Sequence, residues 1–199
     1  MIDAVEACVQ IRQTHSSALE VARLAARLLE QVVLGMSVHD ALRWGLDSNS
    51  GSNLPPSERA YLEGALVDHT NCIGSVNCSQ GIRAERAGFQ GQPFSLAAEQ
   101  LGLDGKSPGC MHTSLVALRA FRDYKTAVRA NIVAGGDSAL RAWFVGAMLA
   151  AEGGETAIPI QWRTQCSEFG DVWALASRIA GSNPHFNSLQ EINYCRVVV

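Results

Sequence analysis

Residues 131–151, "NIVAGGDSALRAWFVGAMLAA", decide how the rest of the chain is read. Gly135 and Gly136 suit a tight turn where backbone comes close to a neighbour. Asp137 then stands where a helix N-cap belongs. Behind it Ala139, Ala142, Gly146, Ala147, Ala150 and Ala151 predict a helix slim enough for close approach by others. An acid after a glycine pair can cap the helix or hold a ligand, and both roles stay open for Asp137.

Outward from this point the chain reads as a succession of helices. "SSALEVARLAARLLEQVVLG" places Leu19, Val21, Leu24, Leu28, Leu29 and Val32 at three- and four-residue steps, with Ser16 or Ser17 as cap and Gly35 as stop. "SVHDALRWGL" restarts at a cap-like Ser37, and Pro55-Pro56 fits the entry to a third helix, "SERAYLEGALVDH". "PFSLAAEQLGL", "CMHTSLVALRAF", "DYKTAVRANIVAG" and "EFGDVWALASRIAG" read as further helices. Residues 69–92 show no clean period and read as a long irregular connection, a kind of segment that more often carries function. "DGKSPG" reads as a turn, "IPIQW" as a loop, and the tail "YCRVVV" as a short strand or frayed end. The expected fold is therefore mainly α-helical, one domain over residues 1–199 without an internal linker or repeat.

Composition narrows the function classes. The 199 residues are 47% hydrophobic and 18% charged, enough chain for one well-cored domain. A formal net charge of −3 gives no basic stripe for nucleic acid. The apolar run Ala142–Ala151 is too short to span a bilayer. The N-terminal residues lack the basic and apolar regions of a signal peptide. Six scattered cysteines then suggest reduced thiols and a cytoplasmic setting.

Several smaller motifs carry less. "HTNC" and "CMH" lack the paired spacing of a zinc site, and Cys110 with His112 is not a nucleophile pair by adjacency alone. "DGKSPG" lacks the phosphate-loop pattern, and "NCS" at 77–79 means little without secretion. His15 is different, because it precedes a long helix whose N-terminal amides favour anions such as phosphate.

Read together, "KSPG", "YKTAVRANIVAGGDSALRAWFVGAMLAAEGG" and "AIPIQW", in that order, resemble the C-terminal half of the ADP-ribosylglycohydrolase family. "THSSALEVARLAARLLEQVVLG" resembles that family's threonine-histidine segment and the helix after it, so the resemblance spans about residues 10–165. It implies an all-α orthogonal bundle around a cleft with two magnesium ions, which would orient the ribose hydroxyls and activate water at the glycosidic carbon. It also implies ADP-ribose or an ADP-ribosylated substrate as ligand, with His15 in contact with it and Asp137 as a metal ligand. The catalytic residues are not assigned.

The sequence departs from the family pattern in two places. Where the metal loop has Asp-x-Asp-Ser/Thr, only Asp137 matches; Ala139 and Leu140 bring no side-chain oxygen. Nothing before residue 10 resembles the family's N-terminal acidic ligand segment. The expectation is a shortened member, as a natural short form or a truncated gene reading, closer to the crystallin-like branch. Magnesium is not expected to be retained and catalysis is not assured. The alternative reading is a non-catalytic structural or ADP-ribose-binding protein. Apolar helix faces without their covering helices would favour self-association, which sedimentation would reveal.

Overall fold

The computed structural model describes residues 1–47, 52, 54–66 and 93–182 of the chain. It divides into two compact units, Met1–Ala157 and Ile158–Val199. In the first unit the helices are α1 (Ile2–Gln10), α2 (Ser16–Val33), α3 (Val38–Leu46), α4 (Pro56–Leu66), α5 (Pro93–Leu101), α6 (Gly109–Ala120), α7 (Tyr124–Ala134) and α8 (Ser138–Gly153), followed by a 3-10 turn at Glu155–Ala157. The second unit holds α9 (Ile160–Gln165) and α10 (Phe169–Ser182). No strand occurs among the described residues.

The helix starts are chemical. Ser37 Oγ accepts from the Asp40 amide at 3.1 Å and donates to the Asp40 carboxylate at 2.6 Å, a reciprocal cap. Asp123 accepts from the Thr126 amide at 2.8 Å to open α7. Pro56 fills the first position of α4, where its missing N–H is no loss.

α6 is the centre of the first unit. Met111 and every residue from Thr113 to Leu118 are buried, so this helix has no solvent face along that stretch. It packs against α3, α4, α5, α7 and α8. Its two buried hydroxyls have partners: Ser114 donates to the Cys110 carbonyl at 2.8 Å and Thr113 to the Gly102 carbonyl at 3.4 Å. The apolar row Leu24, Leu28 and Val32 of α2 joins the same core. The slim α8 helix meets α7 at Gly146, where an added Cβ would sit 3.4 Å from the Tyr124 hydroxyl.

α1 is attached differently. None of its residues is buried, and it lies against α2. Glu6 there takes a 2.8 Å ion pair from Arg23, whose Nε also donates to Glu58 of α4 at 2.8 Å. Arg27 adds a second ion pair to Glu58 at 3.1 Å. Glu58 is fully buried, so its charge depends on these arginines.

His39 of α3 reaches the C-terminal end of α6, donating from Nε2 to the Arg119 carbonyl at 3.1 Å. Burial first, and the neighbouring Arg122 next, hold its pKa below the ordinary histidine value. The neutral ring is therefore the form that fits. Its contribution is present above the unfolded histidine value, about 6.5, and is lost as pH falls through the lower folded value. Thermal melts between neutral pH and that window should show acid destabilisation that His39→Gln reduces. An unchanged pH slope in the variant would exclude this residue as a source.

Two segments depart from the sequence reading. "IPIQW" is not a loop; Ile160–Gln165 forms α9 behind Pro159, whose extended backbone supplies the N-cap position. A single turn and a half offers too few positions for periodicity to register. The N-terminal residues, unassigned from the pattern, form α1, whose Ile2, Val5 and Val9 are only half buried on α2. The irregular connection expected at 69–92 and the tail "YCRVVV" lie outside the described residues.

Candidate functional site

The glycine-glycine-acid turn between α7 and α8 lies against the turn that joins α5 to α6. The Asp137 amide donates to the Leu103 carbonyl at 2.7 Å. Gly136 has φ +64° and sits so close that an added Cβ would stand 2.1 Å from that same carbonyl oxygen. Gly135 has φ +80° and ends α7. Glycines are needed here for backbone conformation, and at Gly136 also for space.

Asp137 uses one carboxylate oxygen as a helix cap, accepting from the Leu140 amide at 3.1 Å. The other oxygen lies beside Gly105 of the facing turn, where an added Cβ would fall 2.4 Å away. Asp137, Ala139 and Leu140 are all exposed. Both readings of the acid thus meet a definite answer on one side: the cap exists.

Behind the turn lies Arg141, fully buried. Its Nε donates to Asn131 Oδ1 at 2.8 Å and its Nη1 to the Leu103 carbonyl at 3.1 Å. Its Nη2 donates to the Gly135 carbonyl and reaches the Asn131 carbonyl at 3.5 Å. Asn131, also buried, donates in turn to the Ser138 carbonyl at 2.8 Å. One guanidinium therefore ties the two turns and the end of α7 together. Burial lowers its pKa, while Cys110 and Asp137 pull it back up. An arginine remains charged at neutral pH.

Cys110 is half buried at the start of α6. Burial pushes its thiol pKa up, Arg141 opposes this, and Asp137 and Asp104 add to the rise. A raised thiol pKa leaves little thiolate for nucleophilic work. His112 stacks edge-on to Tyr61, with ring centroids 5.7 Å apart. Residues two apart on a helix do not face each other. The pair is not a catalytic dyad.

His15 is the N-cap residue of α2. Its Nδ1 accepts from the Ser17 amide at 3.2 Å and is 2.8 Å from the Ser17 hydroxyl. The ring thus occupies part of the helix N-terminus that an anion would use. Among the described residues, no hydrogen bond or ion pair links His15 with Asp137, so the structure does not unite the two residues singled out from sequence.

Arg141 and Asn131 were not singled out from sequence. The signal was an arginine in the otherwise uncharged run from Ser138 to Ala151. An arginine flanked by core positions must find several acceptors if it turns inward.

A helical bundle built on a slim helix behind a docked glycine-glycine-acid turn defines the class. The chain belongs to the ADP-ribosylglycohydrolase family, whose model matches residues 1–186, a wider span than the motifs alone suggested. The all-α fold is of that family's type. No curated protein and no solved structure gives a significant match.

The resemblance implies a two-magnesium centre, to which this loop brings one carboxylate. Asp137 is the one acid of its loop, and Ala139 and Leu140 have no side-chain donor atom. Two carbonyls of the paired turns, those of Leu103 and Gly135, already serve a guanidinium. Among the described residues no three of His, Cys, Asp and Glu form a metal-holding group. No helix among the described residues is long and apolar enough to cross a membrane.

Proposed function

We propose that this chain keeps the family fold without the family's magnesium-dependent hydrolysis, acting as a non-catalytic, crystallin-like structural protein. The observation that carries the reading is the state of the metal loop. Its single acid caps α8, and a buried guanidinium stands behind it where cations would need negative potential. An exposed carboxylate attracts a cation weakly, of order 1 kcal/mol per unit-charge pair at contact in water, and the second acid of the paired turns, Asp104, already pairs with Lys106 at 3.4 Å. The cytoplasm is the proposed compartment, and the free thiols of Cys8, Cys110 and Cys166 are in keeping with it.

The test is release of ADP-ribose from an ADP-ribosylated peptide, with and without magnesium. No metal-dependent release is expected, nor any gain from Ala139→Asp with Leu140→Thr, because Arg141 keeps its charge and its carbonyl partners. Magnesium-dependent release that Asp137→Ala abolishes would overturn the reading. It would favour the second one, hydrolysis of an ADP-ribosyl glycosidic bond, which the match over residues 1–186 supports.

ADP-ribose binding at His15 is compatible with hydrolysis and with a non-catalytic binding protein, and has its own check. Because the ring already caps α2, His15→Ala should lower stability by about 1 kcal/mol, the usual loss of an N-cap. Calorimetric titration of ADP-ribose into wild type and variant separates the roles. Weaker binding in the variant would place His15 in a ligand site; equal heats would leave it a cap.

A further inference from the structure

The paired turns, 103–105 and 135–137, bring together backbone oxygens and two acids, Asp137 and an Asp104 that pairs with Lys106 at 3.4 Å, an arrangement that ordinarily calls for a cation. Here a cation is already present in covalent form. We infer that Arg141 is an internal cation: its buried guanidinium joins the Leu103 and Gly135 carbonyls and sets the Asp137 turn without a bound ion.

The geometry supports this at each point. Leu103 O accepts twice, from the Asp137 amide at 2.7 Å and from Arg141 Nη1 at 3.1 Å. The same guanidinium holds the Gly135 carbonyl, two residues before Asp137. Asn131 fixes the guanidinium plane through Nε at 2.8 Å, and its amide nitrogen holds the Ser138 carbonyl just past the acid at 2.8 Å. The three segments that meet here are therefore cross-linked by planar donors whose directions are set. The Asp137 carboxylate favours the charged guanidinium, and an arginine keeps its charge at neutral pH. A divalent ion entering here would meet that charge at close range and would compete for the same oxygens.

This assignment goes beyond the question of hydrolysis. Arg141 is a positioning residue, acting on Asp137 through Leu103 and Gly135 rather than on any ligand. The same turn geometry would result whether or not the chain cleaves a glycosidic bond.

Amide hydrogen exchange reads the assignment locally. In wild type treated with chelator, the Asp137 and Leu140 amides should be protected, and millimolar magnesium chloride should leave that protection unchanged. Arg141→Met keeps an unbranched apolar stem and removes the charge and every donor; exchange at both amides should rise roughly 100-fold, as expected when about two charge-assisted hydrogen bonds are lost. The Ala41 amide of α3, bonded to Ser37, should keep its wild-type rate. Arg141→Lys should give an intermediate rise, since an ammonium has charge but no fork to span both carbonyls. If Arg141→Met does not fold, Arg141→Lys carries the test, because it keeps the charge and loses the fork that reaches both carbonyls. Magnesium that raises wild-type protection at Asp137 would overturn the inference. So would Arg141→Met, or Arg141→Lys in its place, with wild-type exchange at that amide.

Discussion

Gly136→Ala is expected to lower the thermal midpoint by about 10 °C, the fall that roughly 3 kcal/mol produces in a chain of this size. Two effects add. The residue has φ +64°, and a side chain in the left-handed region costs about 1–2 kcal/mol. The new methyl would also fall 2.1 Å from Leu103 O and 2.5 Å from Leu103 Cβ. Overpacking of that kind typically costs about 1–3 kcal/mol. The obstructing oxygen is backbone, so it cannot rotate aside as a side chain would. Moving it would lengthen its bonds from the Asp137 amide and Arg141. Gly135→Ala is the comparison, since its φ is +80° but nothing lies within 4 Å of the added Cβ. That variant should show backbone strain alone, about 1–3 kcal/mol. Scanning calorimetry on both decides the matter: a loss at Gly136 no larger than the roughly 1–2 kcal/mol of its φ alone would mean that the fit between the turns contributes nothing.

The contrast between these two glycines shows what the sequence could and could not convey. The pair followed by an acid announced a tight turn and a cap, and both are present. Which glycine was needed for space could not be read, because the obstructing Leu103 belongs to a turn more than thirty residues earlier in the chain. Most helices were legible for a similar local reason. Ser37, Asp123 and Asp137 carry their capping groups three residues before the amides they satisfy. α1 and α9 escaped because one is held by an ion pair and half-buried contacts, and the other is six residues long.

The site was legible in part. Family membership could be read from the ordered segments around the turn, and the loss of oxygen at Ala139 and Leu140 from the residues themselves. Arg141 could not be placed. Its partners come from α7, from the turn before α6 and from the glycine turn, and only the folded chain brings these together. His15 illustrates the converse. The cap expected at Ser16 or Ser17 lies one residue earlier, because the His15 ring turns back to accept from the Ser17 amide and caps the helix itself.

Arg23→Met should destabilise the protein by about 3–5 kcal/mol, the range for breaking a buried ion pair by removing one partner. The reason lies with Glu58, whose carboxylate is 0% exposed and takes its aligned hydrogen bond from Arg23 Nε. Arg27 would remain, 3.1 Å from the other carboxylate oxygen, but its Nε is not directed for a hydrogen bond. A single poorly directed partner leaves the buried charge under-solvated. The same substitution removes the ion pair that holds Glu6, so α1, with no buried residue of its own, should open first. Urea denaturation measures the global loss, and exchange at the α1 amides measures the local one. The double variant Arg23→Met with Glu58→Met distinguishes a stranded charge from lost packing. A buried pair replaced by apolar side chains is often neutral or better, so most of the loss should return. Arg27 is 28% exposed at its side chain and can turn to water when its partner disappears. If the two substitutions instead add, the stability of this corner comes from packing along α2 and α4, and Glu58 tolerates its burial without Arg23.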